Sequence, residues 1–210
     1  NFSNQSLHIN ASGIVILQSG ATMLGVGNPC SSGTCSTGGN LNITSDTLLI
    51  TGLIVSRGGN QSANGISPGN GGVIRLTARL INITTNVTTE PGDACKDTRY
   101  RGGSGVIDIN SSILFINGTV SVKHNGGTCA VALTGGDIFI NATNFTFGGK
   151  LNAEGGNANS NTLCDSNPNG AKGNGGVINI SVGSNFVISG NLTAAAGQVG
   201  DDDHLPRRDG

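Results

Sequence analysis

Tryptophan is absent, tyrosine and methionine occur once each, and aromatic residues make up 3% of the 210-residue chain. An aromatic sugar-binding platform has little to draw on, with Tyr100 the one tyrosine. Charge is scarce as well: 11 Lys plus Arg against 12 Asp plus Glu leave a net charge of -1. No basic surface is available for nucleic acid or an acidic membrane, so neither is an expected partner. No apolar run approaches the roughly 20 residues of a membrane span. An initiating methionine and a signal peptide are also missing, which reads as a processed or excised segment. Nothing longer than a few residues repeats at helical spacing, which argues against helices.

Glycine is plentiful, at 36 residues. Its spacing is not every third residue, which excludes collagen. What repeats is a phrase. Gly175-Gly176-Val177-Ile178-Asn179-Ile180 recurs as Gly38-Gly39-Asn40-Leu41-Asn42-Ile43, Gly71-Gly72-Val73-Ile74-Arg75-Leu76, Ser104-Gly105-Val106-Ile107-Asp108-Ile109 and Gly135-Gly136-Asp137-Ile138-Phe139-Ile140. The starts near 38, 71, 104, 135 and 175 lie 33, 33, 31 and 40 residues apart, and extrapolation adds a worn copy from Asn4 to Ile9. A period of this size marks a repeat architecture.

A second apolar pair follows ten and twelve residues after most starts: Ile14 and Ile16, Leu48 and Ile50, Ile81 and Ile83, Leu114 and Ile116, Phe145 and Phe147. The last copy is one residue longer and reads Phe186 and Ile188. A corner glycine usually comes next (Gly52, Gly118, Gly149, Gly190), expected there for its access to positive φ. A third pair closes the unit: Ile54 and Ser56, Val87 and Thr89, Val120 and Val122, Leu151 and Ala153, Leu192 and Ala194, with the first copy irregular around Ala21 and Met23. Each pair alternates with outward residues, the period-2 mark of a strand with one buried face. One unit cannot bury that face alone, but a stack can.

The expectation is an all-β, single-domain parallel β-helix over residues 1–197, of about six coils with three short strands each, and a charged tail or linker over 198–210. At a spacing of roughly 4.8 Å the rod is roughly 29 Å tall. Right-handed coiling is the default for parallel crossovers. The phased pairs also argue against disorder. The pattern resembles the β-helical, glycine-rich surface proteins, notably those of protist and algal surfaces. That resemblance implies a structural, extracellular role.

Two further signals agree with a secreted protein. Thirteen Asn-x-Ser/Thr sequons occur, at Asn1, Asn4, Asn10, Asn42, Asn60, Asn82, Asn86, Asn110, Asn117, Asn141, Asn144, Asn179 and Asn191. Chance pairing of the asparagines with Ser and Thr gives about five. None falls in an inward slot, where a glycan could not be carried. The competing account is that Asn and Thr simply suit outward stacked faces. The five cysteines, Cys30, Cys35, Cys95, Cys129 and Cys164, all fall in the loop after the third strand. Cys30 pairs most naturally with Cys35, Cys95 lies one coil from Cys129, and Cys164 is left over. Zinc is a poorer reading, because the Cys-x4-Cys stands alone and His8, His124 and His204 show no ligand spacing.

Catalysis has one foothold. Pectate-lyase-like enzymes share the fold and use outward Asp, Arg and Lys, often with calcium. The outward slot of the first strand reads His8, Asn42, Arg75, Asp108, Phe139, Asn179, which sets Arg75 beside Asp108 without a second carboxylate. A surface ion pair accounts for them. Gly135-Gly136-Asp137 does not continue into a calcium nonapeptide, and Asp201 to Asp203 read as a solvated charge run. No catalytic residue, cofactor or metal is therefore expected, although an adhesin-like passenger and a polysaccharide lyase or hydrolase remain as alternatives. Both ends of the rod are expected to be open, covered at most by Asn1 to Ser6 and by the tail. The expected partners are N-linked glycans and a second copy docked head to tail, its carboxylates meeting Arg207 and Arg208.

Overall fold

The computed structural model describes residues 2, 4–62, 67–93, 102–124, 134–156 and 173–197. Thirteen strands lie in them, and no helix. The first coil holds β1 (Ser6–Asn10), β2 (Ile14–Leu17) and β3 (Thr22–Val26). Each later coil has one long and one short strand: β4 (Asn40–Ile50) and β5 (Leu53–Arg57), β6 (Val73–Ile83) and β7 (Asn86–Glu90), β8 (Val106–Ile116) and β9 (Thr119–Ser121), β10 (Asp137–Phe147) and β11 (Lys150–Asn152), β12 (Ile178–Ile188) and β13 (Asn191–Thr193). The long strands stack in the order β1-β4-β6-β8-β10-β12, with β2 also on β4, and the short ones in the order β3-β5-β7-β9-β11-β13. All pairing is parallel. The chain is a parallel β-solenoid: four coils with a neighbour on each side, between two end coils.

The expected first and second strands are one bent strand. In β6 the inward residues are Ile74, Leu76 and Ala78, then Ile81 and Ile83, so Arg79 and Leu80 both face out and the alternation slips by one. That slip is the corner. The inward residue just before it is small in every interior coil: Ser45, Ala78, Ser111, Ala142. A bend seen from inside has no room for more. The two serines also use the bend, since Ser45 Oγ donates to Thr47 O (3.2 Å) and Ser111 Oγ to Ile113 O (2.7 Å). The hydroxyls so satisfy carbonyls turned by the slip.

The ladders Leu41–Ile74–Ile107–Ile138 and Ile43–Leu76–Ile109–Ile140 are buried in register, as are Leu48–Ile81–Leu114–Phe145 and Ile54–Val87–Val120–Leu151. Each such side chain contributes roughly 1.5–3 kcal/mol by leaving water. The first coil departs from the expected register. Ile14 and Ile16 are 64% and 54% exposed, and Val15 and Leu17 take the inward slots opposite Leu48 and Ile50. Six residues separate Ile9 from Val15, where five separate Ile43 from Leu48. One extra residue flips every later side chain to the other face.

The glycines also act differently from expectation. Among the described glycines only Gly20 and Gly33 have positive φ (82° and 72°). The corner glycines are there because the next coil is too close for a Cβ. One added at Gly118 would sit 1.9 Å from Thr85 O, and one at Gly149 would sit 1.9 Å from Gly118 O. The same holds for the second glycine of the recurring phrase. A Cβ at Gly105 would meet Gly72 O at 2.0 Å, at Gly136 Gly105 O at 2.1 Å, and at Gly176 Gly136 O at 1.9 Å. The repeated Gly-Gly is a column of backbones in contact.

The loops after the third strand stack in the same way. Cys30 and Thr34 bridge to Gln61 and Ser67, Cys30 N–H donates to Asn60 O (3.1 Å), and Gln61 N–H to Asp93 O (2.9 Å). The Cys30–Cys35 disulfide closes the first of these loops. Cys95, Cys129, Cys164 and the 198–210 tail lie outside the described residues.

Candidate glycan-bearing surface and open coil end

Each outward position repeats along the stack, so the surface consists of columns. The first runs His8, Asn42, Arg75, Asp108, Phe139, Asn179, and the next Asn10, Thr44, Thr77, Asn110, Asn141, Ser181. Past the corner lies Ile16, Leu49, Asn82, Phe115, Thr146, Val187. On the short strands Asn86, Thr119, Lys150 and Asn191 share a column.

Of the thirteen sequon asparagines, Asn1 lies outside the described residues. Asn42, Asn82 and Asn144 are half-buried, while Asn4, Asn10, Asn60, Asn86, Asn110, Asn117, Asn141, Asn179 and Asn191 are exposed. Several also serve the stack. Asn60 Oδ1 accepts from Asp93 N–H (3.0 Å), as the non-sequon Asn40 and Asn70 do from Val73 N–H (2.9 Å) and Gly103 N–H (2.6 Å). Asn144 Oδ1 accepts from Asn185 Nδ2 (2.8 Å). These bonds use the side-chain oxygen. At Asn82, Oδ1 is shut from solvent and has no hydrogen-bond partner.

A shallow polar groove of about 320 Å³ follows the outside of the corner, lined by Thr77, Arg79, Asn110, Ser112, Asn141, Thr143 and their neighbours. Arg79 is held at its rim by Asp46, with Nε to Oδ1 at 3.0 Å and Nη2 to Oδ2 at 3.3 Å. The Arg79 hydrogen bond, followed by one from Thr47, lowers the Asp46 pKa from its ordinary 3.8.

Arg75 and Asp108 meet as expected, but at 3.8 Å and with both side chains largely exposed. Asn42 and Phe139 flank them in register, so no carboxylate completes the cluster. Sequence reasoning passed over a second charged column. Arg57, Glu90, Lys123 and Glu154 follow the short strands with alternating sign. Lys123 Nζ lies 3.0 Å from Glu154 Oε2, and Arg57 pairs with Asp93. The Lys123 hydrogen bond is the main cause that lowers the Glu154 pKa from its ordinary 4.5. The signal was present, in the residue that follows each third-strand pair, but it shows only once the coils are aligned.

The ends differ. Phe2 is 7% exposed, with N–H bonded to Leu24 O (3.0 Å) and its ring against the space left by Gly25 and Gly39. The expectation of a wholly polar Asn1 to Ser6 cover is corrected here: the Phe2 ring fills the short-strand corner of the first coil, while Leu7, Ile9 and Val15 of its long rung stay only half-buried. The last coil continues the core columns into solvent: Phe186 is 40%, Ile188 50% and Leu192 43% exposed. Phe186 stacks on Phe145 at 5.1 Å and 11° and has no described neighbour beyond it.

No protein-family model, curated protein or solved structure matches the chain.

Proposed function

We propose that the chain is a structural subunit of a secreted, N-glycosylated extracellular fibre, sheath or coat, built by docking the last coil of one copy on the first coil of the next. The observation that carries this is a match in rung length. From Leu7 to Leu17 and from Ile178 to Ile188 the long rung takes eleven residues. From Leu41 to Ile50, Ile74 to Ile83, Ile107 to Ile116 and Ile138 to Phe147 it takes ten. Each end coil thus fits its own neighbour with a one-residue irregularity and fits the opposite end coil without one. A head-to-tail joint sets Leu7 on Ile178, Ile9 on Ile180, Val15 on Phe186 and Leu17 on Ile188. Outside, Ile16 meets Val187. The charged column of the short strands stops before the joint, at Val26 and Ala195, so no unpaired charge is buried there. A contact between unlike surfaces, repeated, extends into a filament unless its rotation closes. Secretion is supported by the disulfide and by the placement of the sequons.

Sedimentation of the 210-residue chain at micromolar concentration, with microscopy of the same sample, tests assembly. Filaments one solenoid wide are expected. A stable monomer would overturn the joint.

A further inference from the structure

Of the described phenylalanines, Phe115 and Phe139 are the two that point outward from the rungs, and they are 36% and 38% exposed. Each is the direct register partner of a sequon asparagine. Phe115 pairs with Asn82 and Phe139 with Asn179. Register partners in a sheet point the same way from strands roughly 4.8 Å apart, about the width of one pyranose ring. We propose that these phenylalanines are platforms for the chain's own glycans: the first N-acetylglucosamine on Asn82 lies over Phe115, and the one on Asn179 over Phe139. This deepens the glycoprotein reading above and rests on it.

The chemistry follows from the parts. An aromatic face carries partial negative charge, and one face of the sugar offers a row of C–H bonds with partial positive charge. Burying both removes apolar surface from water and needs no polar partner. At Asn82 the surroundings favour this contact. Leu49 lies in register on one side and Phe115 on the other, so the sugar would cover an apolar strip that is otherwise partly open to solvent. Asn10 is the contrast, because its register partner is Thr44, which offers no ring face.

The test uses the chain secreted from a eukaryotic host, with glycopeptide mass spectrometry to read occupancy and thermal melts of the wild type, N82Q, F115L and N82Q/F115L. Asn82 should be occupied, and N82Q should lower the Tm by about 2–4 °C. In the F115L background the same change should have no effect. N10Q should not shift the Tm in either background. Trimming all glycans to a single N-acetylglucosamine should preserve the difference, since only the first sugar reaches the ring. The acetyl-methyl proton resonance at Asn82 should lie upfield from ring current and return to its ordinary position in F115L; this reading holds even if melts are irreversible. An occupied Asn82 whose stabilisation survives F115L, with no upfield shift, would overturn the platform and leave the glycoprotein reading intact. An unoccupied Asn82 beside other occupied sequons would overturn the platform at that site. A chain without glycan anywhere would bring down the glycoprotein reading itself.

Discussion

The first and last coils have the same problem, a neighbour on one side only, and they meet it differently. In the first coil Gly25 stands where the second coil has Ser56, and the space it leaves takes the ring of Phe2. In the last coil the core columns run on through Phe186, Ile188 and Leu192 to solvent. The stacking rule that builds the interior is indifferent to where a stack stops. Whether the short-strand corner of an end is filled depends on a single large side chain and on glycines that make room for it.

The largest expected effect separates interior from end. Ile140→Asp places a charge among fully packed neighbours and should prevent folding, as read by circular dichroism and hydrogen exchange. Ile188→Asp, at the half-exposed end of the same sheet, should leave a folded monomer that no longer forms filaments. Equal protection in Ile140→Asp and the wild type would refute the core assignment.

Next comes the aromatic pair at the two ends. Phe2→Ala should cost about 3 kcal/mol in chemical denaturation, because it empties the closed corner. Phe186→Ala should cost the isolated monomer about 1 kcal/mol, since much of that ring is already in water. The reverse order would mean that the first coil is held by something other than Phe2.

A smaller contrast concerns glycine. Gly136→Ala forces a Cβ towards Gly105 O and should destabilise by about 1–3 kcal/mol. Gly183→Ala in the last coil meets nothing nearer than 3.7 Å and should be neutral. A neutral Gly136→Ala would show that the coils do not pack backbone on backbone there.

The smallest effect lies in the charge pairs of the interior coils. Asp46 and Glu154 have lowered pKa values in the folded chain. Their contribution is therefore present above their ordinary values of 3.8 and 4.5 and is lost as the pH falls through these and on past the lowered ones. Thermal melts from about pH 6 to about pH 3 should fall less steeply in Asp46→Asn/Glu154→Gln than in the wild type. The Arg79–Asp46 pair is open to solvent and the Lys123–Glu154 pair partly so, so the difference should be slight and should shrink with salt.

The repeat, the three core pairs per coil, the parallel stacking and the Cys30–Cys35 bond were legible in the residues alone. Ladder positions recur at fixed spacing, and a local disulfide needs no distant information. The inward slots of the first coil were not legible, because one residue inserted before Val15 inverts a period-2 pattern and extrapolation carries the error forward. The role of the small corner residues was hidden: Ser45 and Ala78 continue the alternation of the residues before them, but nothing in the residues alone places a bend just after them. Glycine was read by its commonest virtue, positive φ, when the need at Gly105, Gly118 and Gly149 is closeness to another coil. Composition and periodicity determined that this chain coils and stacks, since both are properties of one unit repeated. Which atoms touch between units, such as Phe2 in its glycine pocket, Phe115 beside Asn82 and the bare face of Phe186, was decided only in three dimensions, because such contacts join residues about one coil apart whose register a single insertion can change.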